Sequence, residues 1–502
     1  MAPKGQGRTL LKLSGKRTER KGNAFPNFRI SRGAEKAPFV RSLGVRRRRK
    51  MVEWMLRVKD FVWGAPLLLL LVGTGFYLTV RLGIFQMRRL PMAFRLILSG
   101  DESGQGDVSS FAALCTALAA TVGTGNIVGV ATAIKAGGPG ALFWMWVAAF
   151  LGMATKYAEG FLAIRYRTKD ADGNSAGGPM HYILLGMGEK WRPLAVFFAV
   201  SGLLVAVFGM GTFTQVNAIT TSIENSFAID ARLVGFILAI MVGVIVFRGI
   251  QTISEVATAV VPFMAIIYIL ATIGILFVHR DNLLPALQQV FSSAFTGTAM
   301  TGGFAGATMR MALQNGIARG VFSNESGLGS APIAAAAAKS DKPVEQGLIS
   351  MTGTFIDTLI ICSLTGLSIV VTGKWTGAAD GVHLTQSVFT LTYAQWGGMI
   401  LTVLLALFAF TTILGWNYYG ERCFEFLFGT KYLKYYRLFF TVMVLLGAFI
   451  ELKLVWIIAD IVNGLMALPN LIALLALSPV IILETRYYFM KQDRDKKEMR
   501  NV

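Results

Sequence analysis

Residues 119–146 read AATVGTGNIVGVATAIKAGGPGALFWMW, an apolar stretch whose middle does not suit a continuous helix. The run Thr121-Val122-Gly123-Thr124-Gly125-Asn126-Ile127-Val128-Gly129 is crowded with glycine and side-chain oxygens. Each glycine in a helix interior costs up to about 1 kcal/mol relative to alanine. Thr and Asn side chains also offer the backbone competing hydrogen bonds. In hydrocarbon, backbone groups freed in this way are tolerated only where protein or a water-filled cavity satisfies them. The stretch therefore predicts a helix broken at mid-membrane, whose bare amides and carbonyls can hold an anion and a cation. The competing reading is a face of small residues where helices pack closely.

The surrounding sequence supplies the membrane setting. The 502 residues are 54% hydrophobic with a mean hydropathy of +0.57, far above a soluble domain. Apolar runs fall at about 61–81, 109–134, 140–164, 194–221, 232–248, 255–278, 292–315, 346–372, 396–419, 433–451 and 453–486. They are continuous rather than alternating, which argues against a β-barrel. They predict an all-α polytopic membrane protein of about eleven transmembrane helices, or twelve if the last run splits at Leu468-Pro469-Asn470. Cys115, Cys362 and Cys423 form no CxxC pair, so neither a disulfide framework nor a zinc site is indicated. His181, His279 and His383 are scattered and read as isolated polar surface residues.

The net charge of +20 would suit a nucleic-acid partner, but its location argues against one. Residues 1–50 hold 16 Lys/Arg against Glu19 and Glu35, a net +14 of the total. This basic head has no apolar periodicity and is expected to be disordered. The body is then 51–490 and a cytoplasmic tail 491–502. Met51 opens MVEWMLRVKDFVWG, an ordinary charged lead into an apolar span. The expectation is that 1–50 stem from an over-extended reading frame, with an Arg-rich presequence as the rival. In the body, placing the C-terminus in the cytoplasm gives inner segments 81–108, 165–193, 248–254, 310–345, 419–437 and 486–502. These carry 24 Lys/Arg, against five in the outer connections. That asymmetry sets the orientation.

A second glycine- and threonine-rich stretch, AFTGTAMTGGFAGAT at 294–308, interrupts a later apolar run. Two interrupted helices at corresponding places in two five-span halves point to an inverted-repeat transporter, with 61–81 as an extra N-terminal span.

Six blocks then become recognisable in order: TVGTGN, GGPGALFWMWVAAFLG (Gly137–Gly152), GMATKYAEG (Gly152–Gly160), AGGPMHYI (Ala176–Ile183), GVFSNESGLGSAPIAAAAAKSDKP (Gly320–Pro343) and TTILGWNYYGER (Thr411–Arg422). Together they resemble the alanine or glycine:cation symporters, also called sodium:alanine symporters, across about 60–490. The resemblance implies a LeuT-type 5+5 fold in the plasma membrane and import of small neutral amino acids coupled to sodium, in some cases to protons. It implies substrate contacts at Thr124, Gly125, Asn126, Gln215, Gly303, Phe304, Thr412 and Trp416. It places sodium on the Ala119 and Val122 carbonyls with the hydroxyls of Thr411 and Thr412. Physics agrees: a half-helix amino end carries about +0.5 charge, which suits a carboxylate. Bulky Phe304 and Trp416 would exclude larger side chains by clash.

Charged residues inside a membrane carry a functional hypothesis by default. Lys156 and Glu159, three apart, can pair along one helix. Asp357 lacks a partner nearby in sequence; Lys156 is the candidate, and a proton or cation is the alternative. Asp460 is a similar case. An intramembrane enzyme would need a nucleophile–base pair, a metal cluster or a carboxylate dyad, and the sequence offers none. A passive channel would need a filter of repeated carbonyl or charged rings. One chain with two interrupted helices favours alternating access.

Overall fold

Helices start where a short polar side chain takes up a free amide. Ser109 Oγ accepts from the Ala112 amide at 3.0 Å and caps the helix Ser110–Thr121. Asp230 accepts from the Arg232 amide at 2.7 Å and caps Ala231–Val246. The computed structural model describes residues 37–99, 104–296, 309–450 and 452–500. The chain divides into 1–53 and 54–502. In the first unit the described residues are helical from Ala37, where the helix Ala37–Val62 begins; the rest of the basic head lies outside the described residues.

Seven described helices are long and apolar enough to cross a membrane, or eight when the bent pair Ser110–Thr121 and Gly125–Gly137 counts as one span. Two other expected spans appear as the shorter helices Ala231–Val246 and Leu433–Gly447. The helix Gly140–Arg165 lies at the centre, with 89% of its most apolar window buried. Ile250–Val278 is the opposite case: 28% of its window is buried, and Phe263, Ile266, Leu270 and Phe277 face outward. Such a belt of exposed large apolar side chains is the lipid-facing surface.

The first interruption lies where the glycine-rich run places it. Thr121 Oγ1 bonds back to the carbonyls of Ala117 and Leu118. Val122 is extended, with φ −77° and ψ 97°. Helix resumes as a wide turn at Gly125–Gly129 and continues through Val130–Gly137, bent by 49° from the first half. Wide turns of this kind inside helices are frequent at functional sites.

The second interruption was expected at 294–308, most of which, including Gly302, Gly303, Phe304 and Gly306, lies outside the described residues. The described structure shows an interruption further on, between the helices Met309–Asn324 and Ala331–Ala335. Glu325, Gly327 and Gly329 there have φ of +57°, +88° and +83°. Glycine adopts that region without a steric penalty, whereas Glu325 must be held in it. Residues 310–345 are therefore not one inner segment, as the charge count took them to be. Gly137 abuts Met311 and Ala312, so Met309–Asn324 starts beside the turn at Gly138 and runs toward the centre.

The opposite end is tied shut. The Asp107 amide donates to Ala337 O at 2.8 Å, and the Lys339 amide to Val108 O at 2.8 Å. Arg167 donates to Ala338 O at 2.7 Å and pairs with Asp341 at 3.0 Å. Nearby, Arg422 reaches Asp170 at 3.0 Å. The Asp170 carboxyl is held below its usual range: burial opposes this, but the Asn174 amide and Arg422 outweigh it. At the far end of the chain, no break occurs at Pro469. The helix Leu452–Ala476 continues through it, and the next helix, Ser478–Arg500, starts after Leu477.

Candidate functional site

The site is built where the two interruptions meet. A methyl added at Gly125 would sit 3.0 Å from Ser323 Cα, so the broken spans approach backbone to backbone. Around the first break the freed groups have partners that could be exchanged. The Gly123 amide donates to Asn126 Oδ1 at 2.8 Å, and the Thr124 amide to Gln215 Oε1 at a long 3.4 Å. Gln215 is itself anchored by its Nε2 on Met210 O at 2.9 Å. Thr124 is fully buried and its hydroxyl has no hydrogen-bond partner among the described residues. Two backbone amides and an idle hydroxyl, beside a half-helix amino end, form a surface ready for a carboxylate.

On the other side of the break, Thr412 Oγ1 lies 2.9 Å from Phe408 O, 3.0 Å from Ala119 O and 3.4 Å from Val122 O. A hydroxyl has one proton to donate, so it cannot satisfy three carbonyls at once. Such a cluster of neutral oxygens suits a small hard cation. Gly123 permits it, since a methyl there would lie 2.5 Å from Thr412 Oγ1. Thr411 is not brought to these carbonyls; its hydroxyl donates to Phe408 O at 2.9 Å and lies against Met264 Sδ. Trp416 is buried one turn on from Thr412, with its indole N–H on Glu325.

Behind Asn126 sits Asp357, in a wide helical turn at Phe355–Cys362. Its Oδ1 accepts from Asn126 Nδ2 at 2.7 Å, and its Oδ2 from Ser323 Oγ at 2.9 Å and Thr358 Oγ1 at 2.6 Å. Neither of the expected lysine pairs forms. Lys156 Nζ makes no hydrogen bond and has no carboxylate within ion-pair distance among the described residues. Asp357 is taken by the three neutral donors above. Glu159 Oε1 accepts instead from the amides of Gly327 and Gly329, each at 3.1 Å, and from Asn470 Nδ2 at 2.7 Å. The second break thus spends its freed amides on a carboxylate from another helix, whereas the first rests its own on the neutral oxygens of Asn126 and Gln215. Asp460 does find a partner: Arg319 forks onto it with two 3.0 Å bonds. Arg319 also lines a cavity of about 890 Å³ with Val128, Thr132, Asn217, Asp380 and Trp456. This cavity adjoins the half of the first span beyond the break.

Sequence reasoning missed Thr358 and the Glu159–Asn470 socket, and gave Ser323 and Glu325 no role beyond capping groups at a turn. The motif NESGLGS carried the signal, since two glycines two apart beside a buried acid permit repeated left-handed turns. The cysteines Cys115, Cys362 and Cys423 are all buried and unpaired. Cys362 Sγ lies 3.4 Å from Asn126 Nδ2 and 3.2 Å from Ser323 Oγ.

Comparison with known proteins follows the same outline. The model of the sodium:alanine symporter family matches residues 48–502. The sodium/alanine symporter AgcS of Methanococcus maripaludis is 50% identical over 439 residues, 86% of this chain and 96% of that one. The probable sodium/glutamine symporter GlnT of Bacillus subtilis is 37% identical over 441 residues, 87% of this chain and 90% of that one. Among solved structures, MhsT in complex with L-phenylalanine superposes with a TM-score of 0.53 at 13% identity, covering 76% of this chain and 99% of that one. That likeness shows the fold alone, which is LeuT-type.

Proposed function

We propose that this chain, which belongs to the sodium:alanine symporter family, imports small neutral amino acids, alanine and glycine, together with sodium by alternating access. The observation that carries this reading is the first interruption. Its amides rest on the exchangeable oxygens of Asn126 and Gln215, while its carbonyls at Ala119 and Val122 converge on Thr412 Oγ1. A substrate carboxylate takes the amides of Gly123 and Thr124 and the Thr124 hydroxyl, displacing the two side-chain oxygens. Sodium takes the carbonyl cluster with Thr412, and Thr411 joins only by leaving Phe408 O. The ion and the carboxylate then sit on opposite faces of one short break, so each lowers the cost of binding the other.

Trp416 forms the wall that limits side-chain size, and Phe304 belongs to the same reading. The membrane is the plasma membrane, with the C-terminus in the cytoplasm. Moving Arg310 and Arg319 from the inner tally of 24 to the outer five leaves 22 against seven, and the same orientation. The Arg167–Asp341 end is then cytoplasmic and closed, and the 890 Å³ cavity is the outer approach.

The deciding experiment is uptake of labelled alanine and glycine into proteoliposomes under separately imposed sodium and proton gradients. Uphill uptake driven by sodium alone supports the reading; downhill equilibration indifferent to both gradients defeats it. Uptake driven by protons alone would favour a second reading, in which Asp357, buried with no cation within ion-pair distance among the described residues, takes a proton. Thr412→Val removes one oxygen from the carbonyl cluster. It is expected to raise the sodium concentration for half-maximal uptake about tenfold, a change of ~1.4 kcal/mol. An unchanged sodium dependence would take Thr412 out of the cation site.

A further inference from the structure

Trp416 is fully buried and held by its neighbours. Its indole Nε1–H donates to Glu325 Oε1 at 3.0 Å, and its ring meets Tyr419 edge to face at 5.3 Å. Behind it, a methyl on Gly211 would lie 2.7 Å from the Trp416 Cβ. The ring can therefore move only if the acceptor of its N–H moves with it. That acceptor belongs to the second interruption. Glu325 is fully buried at φ +57°, and its other oxygen accepts from Ser330 Oγ at the end of the same break. A non-glycine residue persists in this conformation only where its surroundings fix it. A buried indole N–H usually finds some acceptor, and a neutral carbonyl would serve. A carboxylate makes a bond roughly twice as strong and fixes the ring's orientation accordingly.

We infer that Glu325 is a positioning residue for substrate size: it holds the Trp416 ring in place and thereby ties the pocket wall to the second interrupted span. The inference rests on the reading of Trp416 as that wall. Glu325 itself need not touch substrate; it acts through the indole. When the backbone at Asn324–Ser330 changes conformation, the acceptor shifts and the wall shifts with it.

The test uses the full chain in proteoliposomes and compares uptake of labelled alanine with that of glutamine. Glu325→Ala is expected to raise the glutamine-to-alanine ratio of kcat/KM about tenfold, the scale of a small change in pocket volume. The change should come mainly from a lower KM for glutamine. Glu325→Gln keeps an acceptor oxygen and should restore the ratio. Glu325→Met, of similar length and without an acceptor, serves if the alanine variant is not recovered in the membrane. In a Trp416→Phe background, which has no N–H to hold, Glu325→Ala should change the ratio no further. If Trp416→Phe leaves selectivity unaltered, the pocket reading itself fails. If Trp416→Phe broadens uptake while Glu325→Ala keeps the original ratio, or if the two effects multiply, the positioning role is overturned and the pocket reading survives.

Discussion

Asn126→Ala is expected to lower the initial rate of alanine uptake by at least about a hundredfold, a loss of ~3 kcal/mol, with insertion into the membrane intact. The side chain makes three kinds of contact that alanine cannot. Its Oδ1 accepts the Gly123 amide at 2.8 Å. Its Nδ2 donates to the Asp357 carboxylate at 2.7 Å and to the Asp357 carbonyl at 3.2 Å. Bonds to a charged group contribute about 1.5–3 kcal/mol each, and a buried donor left idle costs about 1–3 kcal/mol. Much of that loss falls on geometry. Without Asn126 the Gly123 amide turns toward any other acceptor, and Asp357 loses a donor at a position closed to water. Gln215→Ala should act in the same direction but less strongly, because the Thr124 amide lies 3.4 Å from Gln215 Oε1. The measurement is uptake per unit of protein incorporated in proteoliposomes. Rates close to wild type in both variants would remove the first interruption from the substrate path.

The first break could be read from sequence because its cause is local. Glycines and hydroxyls concentrated at 121–129 weaken the helix in which they sit, and Thr121 bonds back to its own carbonyls as such residues do. The membrane class was legible for a similar reason, since apolar length is a property of each segment alone; the LeuT-type architecture was legible only through the resemblance that the six ordered blocks carry. The second break behaves differently. The expected break at 294–308 lies mostly outside the described residues, and the interruption that is described falls at Asn324–Ser330, where only Gly327 and Gly329 supply glycine. It persists there because Glu159, from a helix more than 160 residues earlier, receives the two freed amides. That is a tertiary cause, and no window of sequence contains it. Charge pairing failed on the same ground. Lys156 and Glu159 are correctly spaced for a helical pair, but they make no direct contact among the described residues; Glu159 Oε1 is turned instead to two backbone amides and Asn470. Arg319 and Asp460 pair across 141 residues, a match that spacing rules do not address.

The Glu159 socket yields the second large expected effect, and it separates charge from hydrogen bonding. Glu159 Oε1 serves three donors, while Oε2 is buried with no partner among the described residues. Glu159→Ala leaves the amides of Gly327 and Gly329 and the side chain of Asn470 without their acceptor. The expected cost is about 3–5 kcal/mol, the scale of breaking a buried charged contact by removing one member. Asn470 still has Gly327 O at 2.9 Å and Tyr182 as a neighbour, so the loss falls mainly on the two backbone amides. With their acceptor gone, the turn that carries Glu325 is no longer fixed at φ +57°, and transport is expected to vanish together with much of the thermal stability. Glu159→Gln should behave differently. Its carbonyl oxygen can take the place of Oε1, and its amide group the place of the idle Oε2, at nearly the same volume. Uptake within about threefold of wild type is therefore expected, with a folded, monodisperse protein after extraction. The measurements are size-exclusion profiles, thermal unfolding and alanine uptake for both variants. A stable, active Glu159→Ala protein would show that the second interruption holds its shape without the socket. An inactive but well-folded Glu159→Gln protein would move Glu159 from a support of the backbone to a charge the transport cycle uses, with Lys156, one turn away and lacking a hydrogen bond among the described residues, as the group to examine beside it.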